Sequence, residues 1–183
     1  DLEGYLFPET YALPRGATAD DLVEAMLVQF RRTFDDVLLV QAVEQEMTVR
    51  QVVTLASLIQ RETGQDDERP VVSAVYRNRL DRRMPLQCDP TVIYALLLAG
   101  LYDGNLTRDN LRYDSPYNTY VYPGLPPGPI AAPGAADLRA ALAPADVSYV
   151  YFVSRNDGTH VFADTLREHN RNVREYQVEY FRR

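Results

Sequence analysis

Apolar residues recur every three or four positions over much of the chain, the spacing of helices that bury one face. Thr48 and Gln51 form a capping-box pattern before the broadest apolar stripe, and Gly64 is predicted to close that helix as its C′ residue. Thr18 and Asp21 mark an earlier helix start in the same way. Further helices are predicted over Asp36–Gln45, Ala135–Leu142 and Thr165–Arg182.

Proline and glycine refine this pattern. Pro70 lies in the first turn of another predicted helix, and Asp89 is predicted to cap a helix that runs from Pro90 to about Leu98. The first stretch, Asp1–Pro14, is predicted to be extended with a turn. A β-hairpin is predicted near the C-terminus, with a strand at 149–153, a turn at 156–158 and the partner strand at 160–162. Residues 104–134 predict one long structured loop, rich in proline and aromatic side chains. The fold class is therefore α+β, mostly helical, with a small antiparallel β element.

Composition excludes several function classes. The 183 residues carry a formal net charge of −7, which argues against sequence-independent nucleic-acid binding. A single cysteine, Cys88, excludes an internal disulfide and a zinc site built from cysteines. The chain has no lysine, so Schiff-base and Ser–Lys chemistry are excluded. The longest apolar run, 92–102, is too short for a membrane span, which needs about 20 residues.

Glu62 is the carboxylate with the most unusual position. On a helical wheel of about 100° per residue with Leu55 at zero, Ile59 falls near 40°, Val52 near 60° and Glu62 near −20°. Gln60 falls near 140°, away from this stripe. A carboxyl among apolar side chains at a helix C-terminus retains its proton, which a general acid requires. Alternatively, the stripe simply ends and Glu62 is solvated.

Other residues offer competing chemistry. A second carboxylate could complete a glycosidase pair with Glu62, and the candidates are Asp66, Asp67, Glu68, Asp89 and Asp114. Cys88, His160 and Asn118 could form a thiol nucleophile, base and orienting residue, although no nucleophile motif surrounds them. His160 and His169 lack a metal-ligand spacing. Polar and aromatic side chains that suit sugar binding, or that could instead brace the long loop, are Asn78, Arg79, Gln87, Asp89, Asn118 and Tyr120.

A set of motifs spanning nearly the whole chain resembles the catalytic domain of the endolytic murein transglycosylases (MltG-type, YceG-like). The matching segments are Glu3–Tyr11, Ala56–Thr63, Glu68–Arg69, Asn78–Leu80, Met84–Tyr94, Asp114–Tyr120, Gly124–Ile130, Tyr151–Val153, His160, Phe162 and Glu168–Asn170.

This resemblance implies a bacterial enzyme that cleaves the bond between N-acetylmuramic acid and N-acetylglucosamine within peptidoglycan strands, leaving 1,6-anhydromuramyl ends. It implies no cofactor and no metal. Family members are held in the cytoplasmic membrane by one N-terminal helix, work on its outer face near the penicillin-binding synthases, and usually carry a LysM-like module. Residues 1–183 are therefore expected to be one catalytic domain that lacks the anchor and most or all of that module.

The resemblance also carries site residues onto this chain. Glu62 matches the catalytic glutamate, whereas Gln60 stands where many relatives have a second acid, and Cys88 stands where Thr or Ser is expected. Gln87, Asp89, Asn118 and Tyr120 are expected to orient the sugar or to stabilise the positive charge that develops on it. The 114–129 loop is expected to line the groove that Glu62 faces. A non-catalytic glycan-binding module and a hydrolytic muramidase remain alternatives.

Overall fold

The computed structural model describes residues 2–182, so Asp1, where the predicted extended segment begins, lies outside the described residues. Seven α-helices occur in this part of the chain: α1 (Ala19–Thr33), α2 (Asp36–Glu44), α3 (Val49–Glu62), α4 (Arg69–Asp81), α5 (Asp89–Leu98), α6 (Ala135–Leu142) and α7 (Leu166–Val173). An antiparallel hairpin is formed by β1 (Tyr151–Ser154) and β2 (His160–Ala163). The α+β, mostly helical class predicted from the sequence is confirmed.

Helix α3 lies at the centre of the core and contacts α2, α4, α5 and α6. Every residue from 52 to 59 is buried. Apolar side chains cover almost the whole circumference of the helix in this stretch, so it packs against neighbours on nearly all sides. The two hydroxyl side chains in this stretch are satisfied locally: Thr54 donates to the Arg50 carbonyl, and Ser57 donates to the Thr54 carbonyl. The core is therefore built around the helix that ends at Glu62.

Most predicted helix ends are confirmed. Thr18 with Asp21 and Thr48 with Gln51 both form reciprocal capping boxes. Pro70 lies in the first turn of α4, where its missing N–H costs no hydrogen bond.

One predicted cap is only partly correct and another is wrong. Gly64 follows the C-cap residue Thr63, as predicted, but it does not adopt the left-handed conformation of a C′ glycine. Instead, α3 ends because Thr63 is extended, at φ −136° and ψ 138°, and its hydroxyl donates to Glu68. Cys88, not Asp89, precedes the first turn of α5, so Asp89 is the first residue of that helix. The Asp89 side chain is thereby left for a partner outside the helix.

The long loop between α5 and α6 is ordered, as predicted, although its only regular element among the described residues is a 3₁₀ turn at Asn110–Arg112. The Ile130 N–H donates to Ser57 at 3.0 Å, which attaches the end of the loop to α3. The middle of the loop is attached to the start of α5, where the hydroxyls of Thr91 and Thr119 lie 2.9 Å apart. These bonds hold a segment without helix or strand in one conformation.

The hairpin is confirmed, with His160 paired to Ser154 and Phe162 paired to Phe152. The predicted single closing helix is only partly correct, because α7 changes to a wider π-helical winding over Arg174–Glu179 and a final 3₁₀ turn at Tyr180–Arg182. The wide turn lies against the hairpin: Gln177 donates to the Ser154 carbonyl, and Asn156 donates to the Tyr176 carbonyl. Within residues 2–182, no helix has both the length and the apolar character that a membrane span requires.

Candidate active site

Glu62 lines an open cavity of about 440 Å³ between the helical core and the hairpin. The residues that line it come from segments far apart in the chain. They are Glu62, Arg79, Leu86, Gln87, Asp89, Tyr120, Phe152, Val153, Ser154, His160, His169 and Gln177. The expectation that the 114–129 loop lines this groove is largely wrong, because only Tyr120 of that loop reaches it. The end of the loop instead packs on the core, where Pro126, Gly128 and Pro129 are buried.

The Glu62 carboxyl is half-buried at the end of α3 and is held by two neighbours. The Tyr76 hydroxyl donates to Glu62 Oε1 at 2.6 Å, and the buried Cys88 thiol also forms a hydrogen bond with the carboxyl. Burial raises the pKa of Glu62 above its usual range, and the nearby Asp89 charge adds to this, while the two hydrogen bonds oppose it. The solvated-helix-end alternative is therefore wrong, and the geometry favours a protonated acid facing the cavity.

Replacing Tyr76 by Phe removes the stronger of these two donors while keeping the aromatic ring that contacts Phe152 edge-to-face. The hydroxyl stabilises the Glu62 anion, so its loss raises the pKa of Glu62 further. A reaction that needs protonated Glu62 is then expected to keep its activity to higher pH, and the alkaline limb of its pH–rate profile shifts upward. A profile that does not move, measured against wild type, contradicts this role for Tyr76.

Asp89 and Tyr120 form one wall of the cavity. The Tyr120 hydroxyl donates to Asp89 Oδ1 at 2.5 Å, and burial together with this bond raises the pKa of Tyr120. The pair is positioned by the link between the long loop and α5, where the Cys88 N–H donates to Thr119. Asp89 is free to accept from Tyr120 because it is the first residue of α5 and not its cap.

Gln87 also lines the cavity, and its side chain is hydrogen-bonded to Arg79. Gln87 has φ of +51°, an uncommon conformation for a residue with a side chain, and its side-chain oxygen accepts from Arg79 Nη1 at 3.3 Å. Arg79 is buried and donates to the carbonyls of Val150 and Leu86 as well. The guanidinium therefore ties α4, the segment before α5 and the hairpin together at the cavity.

Asn118 does not reach the cavity. Its side chain is fully buried, and its Nδ2 donates to the carbonyls of Leu111 and Tyr113. Its Oδ1 accepts from the Tyr120 N–H at 2.9 Å. All of its polar atoms are thus used inside the loop, so its effect on a ligand is indirect, through the position of Tyr120.

The structure does not assemble the Cys88, His160 and Asn118 constellation, and it leaves one candidate for the carboxylate pair. Burial raises the pKa of the Cys88 thiol well above its usual range, and Asn118 is turned away from His160 into its own loop. This arrangement disfavours a thiolate nucleophile. Of the five carboxylates proposed as partners of Glu62, only Asp89 lines the cavity. Gln60 does not line it either.

Sequence reasoning missed Tyr76 and left His160 without a defined partner. Tyr76 belongs to the apolar face of α4, so its pattern is that of an ordinary core residue. His160 lies 92 positions from Glu68, its hydrogen-bonding partner, and no local signal joins the two. Among residues 2–182, no group of three His, Cys, Asp or Glu side chains is placed to hold a metal ion.

Comparison with known proteins gives a consistent result. The model of the YceG-like family matches residues 1–175. An endolytic murein transglycosylase from Bacillus subtilis is 40% identical over 176 residues, covering 96% of this chain and 48% of that protein. One from Streptococcus pneumoniae R6 is 32% identical over 180 residues, covering 96% of this chain and 32% of that protein.

The fold is also found in a solved structure. The crystal structure of a yceG-like protein from Listeria monocytogenes superposes with a TM-score of 0.84 at 37% identity, covering 93% of this chain and 55% of that chain. The chain thus spans about half the length, or less, of these relatives. A family match over almost all of its residues shows that the chain belongs to the YceG-like family.

Proposed function

We propose that this domain cleaves the bond between N-acetylmuramic acid and N-acetylglucosamine within peptidoglycan strands, as an endolytic lytic transglycosylase. One observation carries the proposal: the Glu62 carboxyl faces an open cavity with its pKa raised and with Tyr76 and Cys88 hydrogen-bonded to it. The names of the relatives from Bacillus subtilis and Streptococcus pneumoniae support the substrate.

In the proposed reaction, Glu62 acts first as an acid and then as a base. Its proton passes to the glycosidic oxygen while the bond from that oxygen to C1 of the muramyl sugar breaks, leaving an oxocarbenium-like sugar. The Glu62 carboxylate then takes the proton of the C6 hydroxyl, whose oxygen attacks C1 and closes the 1,6-anhydro ring. Glu62 is protonated again at the end, and no water is consumed.

The neighbours of Glu62 suit both halves of this cycle. Burial keeps the acid protonated before cleavage, and the Tyr76 hydroxyl donates to the carboxylate while it carries the charge. The attacking hydroxyl belongs to the same sugar as C1, so the ring closure avoids the entropy cost of capturing a second molecule.

Asp89, Gln87 and Tyr120 are proposed to orient the sugar within the cavity. Their carboxylate, amide and hydroxyl groups can bond sugar hydroxyls and acetamido groups, and the Tyr120 ring offers a face for a pyranose. Asn118 contributes by fixing the Tyr120 backbone.

A hydrolytic muramidase is the second candidate, and one observation favours it. Asp89 lines the same cavity as Glu62, so a second carboxylate is present that could act on a bound water. Digestion of purified peptidoglycan followed by mass spectrometry separates the candidates. Anhydromuramyl ends support the transglycosylase and reducing ends the muramidase, whereas the absence of products contradicts both and favours a non-catalytic glycan-binding module.

Gln60 provides a test of which position carries the acid. Its side chain is half-buried outside the cavity, and its oxygen has no hydrogen-bond partner within the described residues 2–182. Replacing Gln60 by Ala is therefore expected to retain most of the cleavage rate of wild type, measured as soluble muropeptides released. Complete loss of cleavage with the fold intact would shift the catalytic role toward this position.

The place of action is part of the same proposal. Peptidoglycan lies outside the cytoplasmic membrane, so we propose that the domain acts on the outer face, held by an N-terminal membrane helix and close to penicillin-binding synthases. Fractionation of the full-length protein and crosslinking in cells test the anchor and the partners separately.

A further inference from the structure

A buried carboxylate and a histidine form a bonded pair at the edge of the cavity. Glu68 Oε2 lies 2.7 Å from His160 Nδ1, and Glu68 Oε1 accepts from the His160 backbone N–H at 2.7 Å. The Thr63 hydroxyl donates to Glu68 Oε2 at 3.0 Å. Glu68 therefore joins the residue that follows Glu62 to the first residue of β2.

Glu68 is a carboxylate in this setting. Burial opposes its ionisation, but the hydrogen bonds from the His160 ring, the His160 N–H and the Thr63 hydroxyl outweigh this effect and lower the pKa of Glu68. A carboxylate only accepts hydrogen bonds, so the nitrogen that faces it must carry a proton. The His160 ring is thus held with its proton on Nδ1.

The other ring nitrogen of His160, Nε2, is left accessible. His160 lines the cavity together with Glu62, and its ring is fixed edge-to-face on Phe152 at 5.3 Å. Among residues 2–182, Nε2 has no hydrogen-bond partner, and it is not enclosed by protein. A neutral imidazole with its proton on Nδ1 presents a lone pair at Nε2.

We propose that His160 Nε2 is a substrate-binding acceptor for a hydroxyl or acetamido N–H of the sugar bound beside Glu62, and that Glu68 is a positioning residue that sets its tautomer. This inference rests on the proposed function, because it names a second contact in the same cavity. Glu62 supplies the proton for cleavage, and His160 holds the sugar in the orientation in which that proton is delivered. A carboxylate hydrogen-bonded to one ring nitrogen of a histidine commonly fixes the tautomer, so that the other nitrogen is the hydrogen-bond acceptor.

Replacement of His160 by Asn is the sharpest test. The Asn Nδ2 occupies nearly the position of His Nδ1 and can still donate to Glu68, but Nε2 is missing. The fold is therefore expected to be retained, with a modestly lower melting temperature because the ring contact with Phe152 is lost. In contrast, kcat/KM for peptidoglycan cleavage is expected to fall about tenfold or more, as for one lost hydrogen bond to the reacting sugar.

Replacement of Glu68 by Gln tests the tautomer. The Gln amide group can donate to Nδ1, which moves the ring proton to Nε2 and converts the acceptor into a donor. The ¹⁵N shifts of the His160 ring are expected to report the Nδ1–H tautomer in wild type and the Nε2–H tautomer in Glu68→Gln. Cleavage is expected to fall in this variant as much as in His160→Asn, and the double variant is expected to lose little more than either alone.

The outcomes separate this inference from the proposed function. If wild type cleaves and His160→Asn retains full kcat/KM, the inference is wrong and the function stands. If wild type shows an imidazolium or Nε2–H ring, the tautomer assignment is wrong, whatever the activity. If wild type releases no products, the proposed function fails, and addition of a soluble glycan fragment then decides the inference: a shifted His160 Nε2 resonance supports it, and an unchanged resonance overturns it.

Discussion

Replacement of Glu62 by Gln is expected to reduce peptidoglycan cleavage by at least about 10²-fold, since general acid–base assistance typically contributes 10² to 10⁴ in rate. This corresponds to about 3 to 5 kcal/mol of activation free energy. Gln has the same shape and can still accept from the Tyr76 hydroxyl, but it has no proton to transfer to the glycosidic oxygen. The measurement is the rate of muropeptide release at equal enzyme concentration.

The same variant has a stability signature that separates loss of chemistry from loss of fold. The pKa of Glu62 is raised in the folded protein, so the folded state binds this proton more tightly than the unfolded chain does. The free energy of unfolding of wild type therefore falls as pH rises from the usual carboxyl pKa through the raised one. Gln does not titrate, so the free energy of unfolding of Glu62→Gln does not fall in this way. The variant is therefore expected to become more stable relative to wild type as pH rises between the usual and the raised carboxyl pKa. Wild-type activity in this variant would contradict the assignment of Glu62.

Replacement of Gly4 by Ala is expected to destabilise the fold by roughly 2 to 5 kcal/mol, combining left-handed strain with overpacking. Gly4 has φ of +82°, and a Cβ there would lie 2.6 Å from Pro129 Cβ and 2.9 Å from Val53 Cγ1. Neither the proline ring nor the buried valine on α3 can move away cheaply. Chemical denaturation, with the free energy of unfolding extrapolated to water, measures the effect.

Gly16 provides a matched control for this prediction. It also has a positive φ, of +90°, but apart from its own chain neighbours no atom of the described residues lies within 4 Å of the position where its Cβ would be. Gly16→Ala is therefore expected to cost only the backbone strain, about 1 to 2 kcal/mol. Equal losses in the two variants would show that the contact between Gly4 and the end of the long loop contributes nothing.

The sequence predicts well whatever depends on neighbours along the chain. The Thr48–Gln51 capping box and the placement of Glu62 in an apolar stripe follow from helical periodicity alone, because residues three and four apart share a face. The position of Gly64 shows the limit of the same reasoning. A glycine after a helix suggests a left-handed cap, but here the Thr63 side chain ends the helix by bonding to Glu68.

The parts of the site that could not be predicted depend on contacts between distant segments. Tyr76 has the pattern of a core residue, and only the packing of α4 on α3 directs its hydroxyl at Glu62. Asn118 has the composition of a sugar ligand, yet the carbonyls of its own loop use its amide. The π-helical winding after α7 likewise follows contacts with the hairpin, which the local sequence does not encode.

The division of the cavity between two parts of the chain has a consequence for evolution and engineering. The proposed proton donor, Glu62, belongs to the central helix, whereas much of the cavity lining comes from the hairpin and the C-terminal tail from α7 onward. Glu68 bonds to the hairpin, and Arg79 and Asn78 bond to the segment that leads into it. Grafting the hairpin and tail of one relative onto the helices of another should therefore change which glycans are selected without rebuilding the acid.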